Sequence, residues 1–211
     1  MRTITLTPEV TSGPSSEPIT LNEAKKQLEI SESDDAHDEQ LRVAIQEARE
    51  QWESDTDSVT CYQTLRIKTD RIACQSQEFP GTVGYFAYSL EGLVLPKRPI
   101  VSITSIKYYN TSNTLTTLPT SVYNLDTARG RIQLQYLQEW PSTVTRWDAW
   151  EIIYRSGFSE DGTLVPGIAK RAMLLLVGHY FENRDMLVSP GMADMKAYEN
   201  LVKKFMRSTF P

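Results

Sequence analysis

The chain has 211 residues, enough for one or two domains with a real core. At 40% hydrophobic and 23% charged residues it is too apolar for a disordered polypeptide. Its net charge of −5 leaves no broad basic footprint, which argues against gripping nucleic acid as the principal task and leaves room only for a local basic strip.

Residues 1–17 are rich in Thr, Ser, Pro and Gly, with Ile4 and Leu6 as one short apolar alternation. This composition predicts an arm that adds a strand or drapes on a neighbour. The first eight residues hold no apolar signal core, and the longest apolar run, Ala172 to Gly178, falls far short of a bilayer span. A chain made and kept in the cytosol, without a membrane partner, is expected.

Thr20-Leu21-Asn22-Glu23 is a capping box, and Leu21, Ala24 and Leu28 give the short helix after it an apolar face. Acidic and polar residues from Ser31 to Asp35 break that helix. A longer helix is predicted from Asp35 to Ser54, with Leu41, Ile45, Ala48 and Trp52 on one stripe and Asp35, Asp38 and Glu39 favoured by the dipole at its start. Arg42, Gln46, Arg49 and Glu53 fall off that stripe, toward water or a partner subunit.

Near Val59 the period changes to that of strands. Thr64 to Lys68, Gly92 to Pro96, Ile100 to Tyr109, Thr114 to Leu118, Val122 to Leu125, Arg131 to Leu134 and Ala149 to Tyr154 are strand candidates, with turns at Asn110 to Asn113 and at Gly130. Six or seven short strands at this spacing suggest an antiparallel sandwich or barrel. Helix returns after Pro166: Ile168 to Glu182 is apolar almost all round, so that Leu175 is expected to be buried. An amphipathic helix follows from Ala193 to Phe205, with Met195, Tyr198, Leu201, Val202 and Phe205 as its apolar set. The expectation is an α+β fold in which N-terminal and C-terminal helices pack as a small bundle with an inserted antiparallel β sandwich or barrel. Residues 18–58 and 164–206 make the helical, ring-forming domain, residues 59–163 the β domain, and residues 207–211 a tail.

Motifs that carry chemistry are sparse. His37 and His179 have no metal-like partner at helical spacing. Asp55-Thr56-Asp57 opens like a calcium loop, but Thr60 stands where the glycine belongs and Arg66 where the closing carboxylate belongs. Gly81-Thr82-Val83-Gly84 lacks the adjacent helix and basic residues of a backbone-clamping loop and suits a β-turn. Cys61 and Cys74 have neither CxxC nor Cys/His spacing, which fits free thiols in a reducing compartment. Trp140, Trp147 and Trp150, near Tyr154, suit either core packing or an aromatic ligand platform.

One stretch is more specific. Val165-Pro166-Gly167-Ile168, running on through Ala172 to His179-Tyr180-Phe181-Glu182-Asn183-Arg184, resembles the helix VPxxIxxAxxxLVxHxYENR of the head–tail connector (adaptor) family of long-tailed bacteriophages. Leu21-Asn22-Glu23-Ala24-Lys25-Lys26-Gln27-Leu28 is similar to that family's opening LxEAKxxL helix. Leu95-Pro96-Lys97-Arg98-Pro99-Ile100-Val101-Ser102-Ile103 resembles its LPRxPLxSV segment, and Tyr154-Arg155-Ser156-Gly157-Phe158 its YxAGY strand end. The matches keep the family's order from Pro18 to Arg184. Phe181, between Tyr180 and Glu182, departs from the pattern, and nothing after Asp185 matches one.

The resemblance implies an adaptor ring of twelve copies beneath the portal protein, with a stopper or tail-terminator on the other side. Genomic DNA would pass through without sequence-specific binding, which an acidic chain suits. It implies a place in the virion neck after assembly in the host cytoplasm, and neither catalysis nor a cofactor. It further implies docking on the portal by the C-terminal end, where Lys203, Lys204 and Arg207 offer charge and Phe205, Met206 and Phe210 apolar anchors. The alternative there is that Phe205 only closes the last helix onto the core. Arg42, Arg49 and Glu53 are candidate ring contacts. Two other functions stand beside this one: a β-domain ligand- or receptor-binding virion module built on the tryptophans, and a hydrolase using carboxylates such as Asp126 and Asp148.

Overall fold

Two periodicities alternate along the chain, and the fold follows them. The computed structural model describes residues 6–70, 72, 92–182 and 192–209. Expectations for Cys74, for residues 81–84, for Asn183 and Arg184, and for Phe210 and Pro211 lie outside these. The chain forms two units, Met1–Gly13 with Gln63–Ser156, and Pro14–Tyr62 with Gly157–Pro211.

The second unit is helical. Helix α1 (Leu21–Gln27) starts at the expected capping box: the Thr20 hydroxyl accepts from the Glu23 amide at 3.2 Å, and the Glu23 carboxylate accepts from the Thr20 amide at 2.7 Å. Helix α2 (Asp38–Thr56) ends where Asp57 turns left-handed at φ 48°. Its stripe of Leu41, Ala44, Ile45, Ala48 and Trp52 is buried. Helix α3 (Gly167–Glu182) covers that stripe with Ala169, Ala172, Met173, Leu176 and Val177, and helix α4 (Met192–Thr209) adds Tyr198 and Phe205. The Trp52 ring meets Tyr198 at 6.3 Å and Phe205 at 5.0 Å, both edge-on, as aromatic quadrupoles prefer. The N-terminal and C-terminal helices therefore share one core, as expected.

Leu175 differs from expectation. It is half-buried, because the core contact of α3 runs along Ala169, Met173 and Val177, nearly half a turn away. An apolar run on all sides of a helix does not say which side is covered.

The first unit holds two antiparallel sheets. Strands β1 (Glu9–Ser12), β2 (Gln63–Thr69), β4 (Ile100–Tyr109), β5 (Leu115–Thr117) and β8 (Trp150–Ser156) form one sheet in the order β1-β2-β8-β4-β5. Strands β3 (Leu93–Val94), β6 (Tyr123–Asp126) and β7 (Arg131–Leu134) form another in the order β3-β7-β6. Neither sheet closes on itself among the described residues, so the barrel alternative is set aside. Strands β2 and β8 pair without slip from Gln63↔Ser156 to Thr69↔Trp150, and Leu65, Ile67, Trp150, Ile152 and Tyr154 all turn inward. That shared burial fixes the register, because a one-residue slip would expose the whole set. Strand β1 carries no apolar alternation. It is held by its ladder to β2 and by Glu9, whose carboxylate lies 2.7 Å from Arg66.

Met173 is fully enclosed whereas Leu175 is not. Met173→Asp is expected to abolish cooperative unfolding, since an unpaired buried carboxylate costs several kcal/mol. Leu175→Asp is expected to leave a folded chain with a lowered melting temperature. Thermal denaturation followed by circular dichroism measures both, and equal behaviour of the two variants would contradict this assignment.

Candidate interaction surfaces

The side chains that sequence patterns single out for chemistry serve the fold. Among the described residues, no three His, Cys, Asp or Glu side chains group so as to hold a metal ion. Asp55 accepts the Tyr198 hydroxyl at 2.7 Å, and Thr56 donates to the Trp52 carbonyl at 2.7 Å, so this stretch finishes α2 and fastens α4. His37 stands edge-on to Phe181 at 5.5 Å, and His179 lies beside Tyr180 at 5.8 Å. Asp126 pairs with Arg129 at 3.4 Å. No helix among the described residues is long and apolar enough to cross a membrane.

The segments that resemble the connector family are joined by specific contacts. In the β unit, Tyr154 donates to the Pro96 carbonyl at 2.9 Å, and the Ser156 hydroxyl sits between the carbonyls of Lys97 and Pro99, across a cis Arg98–Pro99 bond. Gly157 has φ 130°, and a Cβ there would lie 2.8 Å from the backbone of Cys61, so only glycine fits the strand end. In the helical unit, the Pro166 carbonyl accepts from Ala169 and Lys170 to open α3, and Lys170 reaches Glu23 of the capping box at 3.4 Å.

Arg49 and Glu53, expected to face water or a partner, are buried. Arg49 donates to Glu17 at 2.8 Å and to Glu53 at 3.3 Å. The other oxygen of Glu53 accepts from the amide and hydroxyl of Thr60 at 2.8 and 2.7 Å. The cluster ties the segment before α1 and the segment after α2 to α2 itself, and it leaves neither side chain on a surface. Of the three candidate ring contacts Arg42 alone is exposed, and it pairs with Glu39 at 3.4 Å. Cys61 lies against this cluster. Burial, and then the carboxylates of Glu17 and Glu53, push its thiol up to about 11.

Lys203, on the C-terminal helix, pairs with Glu199 at 3.7 Å. Lys203, Lys204 and Arg207 are exposed and, with Asn200, line one open cleft. Phe205 is instead fully enclosed between Trp52 and Phe158, so its ring contributes to the core and not to an outer surface. Met206, next to it, is exposed.

The three tryptophans do not form one platform. Trp150 is buried, and Trp140 stands edge-on against it at 5.8 Å. Trp147 is 73% exposed, at the tip of a turn closed by the Ala149 amide and the Arg146 carbonyl. Arg146 binds Asp148 through two nitrogens, at 2.5 and 2.9 Å, reaches Asn113 at 3.0 Å, and lies 3.7 Å over the ring of Tyr109. Those hydrogen bonds hold the Asp148 carboxyl below the usual carboxylate range. The Lys68 ammonium lies 5.9 Å from the Trp147 ring.

The net charge is unevenly divided. The β unit carries 11 basic and 8 acidic residues, and the helical unit 11 basic and 19 acidic, so −5 is the sum of +3 and −8.

No family model matches the chain, and no curated protein matches it in sequence. Solved structures do share its fold. A chain from the neck of an empty gene transfer agent (GTA) particle, computed with C6 symmetry, superposes with a TM-score of 0.70 at 17% identity, covering 92% of this chain and 94% of that one. A chain from the virion of a native gene transfer agent particle gives 0.69 at 15% identity, covering 93% of each. One from the neck of a native GTA particle, computed with C12 symmetry, gives 0.59 at 19% identity, covering 94% of each. The likeness spans both units and establishes a common fold.

Two consequences of the buried cluster are measurable. Arg49→Ala strands Glu17 and Glu53 without their guanidinium and should lower stability by about 3 kcal/mol, read as a drop in denaturant midpoint. Arg49→Lys should recover only part of this, because an ammonium lacks the fork that spans two carboxylates. The Cys61 thiol should resist a thiol reagent at neutral pH until the chain is unfolded. Modification of Cys61 in the native state would contradict its burial.

Proposed function

We propose that the chain is a structural, non-enzymatic subunit of the neck of a phage-like particle, an adaptor ring that joins the portal to the stopper or tail and forms part of the DNA conduit. The observation that carries this is the fold shared over nearly the whole length with chains from GTA necks. The four connector-like segments between Pro18 and Arg184 support it independently, because they occur in the family's order.

In this proposal twelve copies make the ring. The helical part, residues 18–58 with 164–206, supplies the lateral contacts, among them Arg42. The exposed face of Lys203, Lys204 and Arg207 meets acidic grooves of the portal, with Phe210 as a further anchor, while Phe205 holds α4 in place beneath that face. The excess of acidic side chains in the helical unit disfavours adhesion of DNA. The residues 59–163 form the β part, and the ring assembles in the host cytoplasm on the portal as template. Cofactors have no role in this function.

A reconstruction of the particle neck tests the adaptor role. Twelve copies around the portal axis are expected, and one copy, three copies or absence from the neck would end it. Deletion of residues 207–211 tests the docking end. It should leave a folded chain that no longer joins portal-containing heads, giving full heads without tails. Normal head–tail joining by the truncated chain would refute C-terminal docking.

A further inference from the structure

Strand β1 adds nothing to a core. Its four residues, Glu9 to Ser12, are all exposed, whereas β2, the strand it covers, buries alternate residues from Gln63 to Thr69. The pairing is specific all the same. Glu9 stands opposite Arg66 and Val10 opposite Leu65, with a bulge before Ser12 meets Thr64. One Glu9 oxygen accepts from two nitrogens of Arg66, at 2.7 and 3.2 Å, and the Thr11 hydroxyl donates to the Thr64 carbonyl at 2.9 Å. A segment that carries recognition without burial opens at little cost. The chain behind it is built as a link. The division between the two units falls between Gly13 and Pro14. Gly13 and Ser15 are exposed, and a side chain at Gly13 would meet nothing. Anchorage in the helical unit begins directly afterwards: the Ser16 hydroxyl donates to the Glu160 carbonyl, Glu17 accepts from Arg49 at 2.8 Å, and Pro18 and Ile19 are buried.

We propose that β1 is an exchanged strand: in the assembled ring it leaves its own β2 and pairs with the β2 of the adjacent copy. The inference rests on the neck assignment and names one contact between copies. The ladder itself fixes the occupant of the β2 edge. The β1 of a second copy brings the same Glu9 carboxylate, Thr11 hydroxyl and backbone groups to the same Arg66 and Thr64. The strand of an unrelated protein would have to reproduce both the bulge and the carboxylate opposite Arg66. Exchange forfeits none of these contacts, which makes it a low-cost route to assembly. A neighbour held beside its partner in a ring also presents its strand at a high effective concentration. Closure adds a further constraint, because a bare sheet edge invites uncontrolled pairing. In a closed ring each β1 leaves one edge and covers the next, so no β2 edge stays bare, whereas an open arc leaves one at its end. The exchange ties the helical unit of one copy to the β unit of the next through residues 13–15.

A cysteine pair at the observed register reads the exchange directly. The full-length Glu9→Cys, Arg66→Cys variant is assembled into particles, oxidised, denatured and run on a gel without reductant. A ladder of covalently linked copies that reductant collapses is expected. The single variants Glu9→Cys and Arg66→Cys, which keep Cys61 and Cys74, should give none, and a ladder from either would count against the register. Monomers with an internal disulfide, or no disulfide at all, would overturn the exchange and leave the neck assignment standing. Absence of the wild-type chain from the necks would overturn both. A second measurement needs no disulfide. Glu9→Arg and Arg66→Glu each set like charges opposite one another on the ladder, which destabilises it. Offered together in equal amounts, the two variants can alternate around a ring and restore opposite charges at every exchanged ladder. The mixture should be incorporated several-fold better than either variant alone. Incorporation no better than that of the separate variants would count against exchange, since pairing within one chain cannot be rescued by a neighbour.

Discussion

Helix α3 is too apolar to stand in water, and the surface that covers it, the stripe of Leu41, Ile45 and Trp52 on α2, lies more than a hundred residues earlier in the chain. The rest of the structure follows from that one burial. Both helices must meet, so everything between them has to leave from and return to the same place. The β strands from Gln63 to Ser156 are the part of the chain that makes this excursion. The buried Arg49 cluster acts where the excursion begins. It fixes Glu17, just ahead of α1, and through Glu53 the Thr60 segment from which β2 departs. Gly157 acts where the excursion ends, with its backbone pressed against Cys61.

The residues that looked like family motifs now have physical reasons. The capping box, the Pro166 start of α3, the glycine after β8 and the Leu95 to Pro99 segment under Tyr154 and Ser156 are all joints of the fold. Overall identity to chains of the same fold is only 15–19%.

Periodicity made most of the elements legible. Strands β4 and β7 have the bounds that alternation predicts, and α2 buries the stripe that helical spacing predicts. What stayed hidden depended on partners remote in sequence. Arg49 and Glu53 sit on the polar side of the helical pattern, yet the partners that make their burial tolerable are the carboxylate of Glu17 and the amide and hydroxyl of Thr60. Strand β1 holds one large apolar residue, Val10, which is exposed, so its pairing with β2 left no alternation to find. Trp147 and Trp150 are alike in composition terms. Only the turn at Arg146 to Ala149 decides that one ring is displayed and the other enclosed.

The discontinuous helical unit also sets a clock. Its first half, through Tyr62, leaves the ribosome long before the residues that complete its core, the last of which is Phe205. At a synthesis rate of about 5–20 residues per second, the stripe on α2 waits roughly seven to thirty seconds for its cover. During that interval the nascent chain presents Trp52 and its neighbours to whatever surrounds the ribosome, and holding them apart from other nascent chains is work for a chaperone. A chain released early lacks α3 and α4 and cannot close its core.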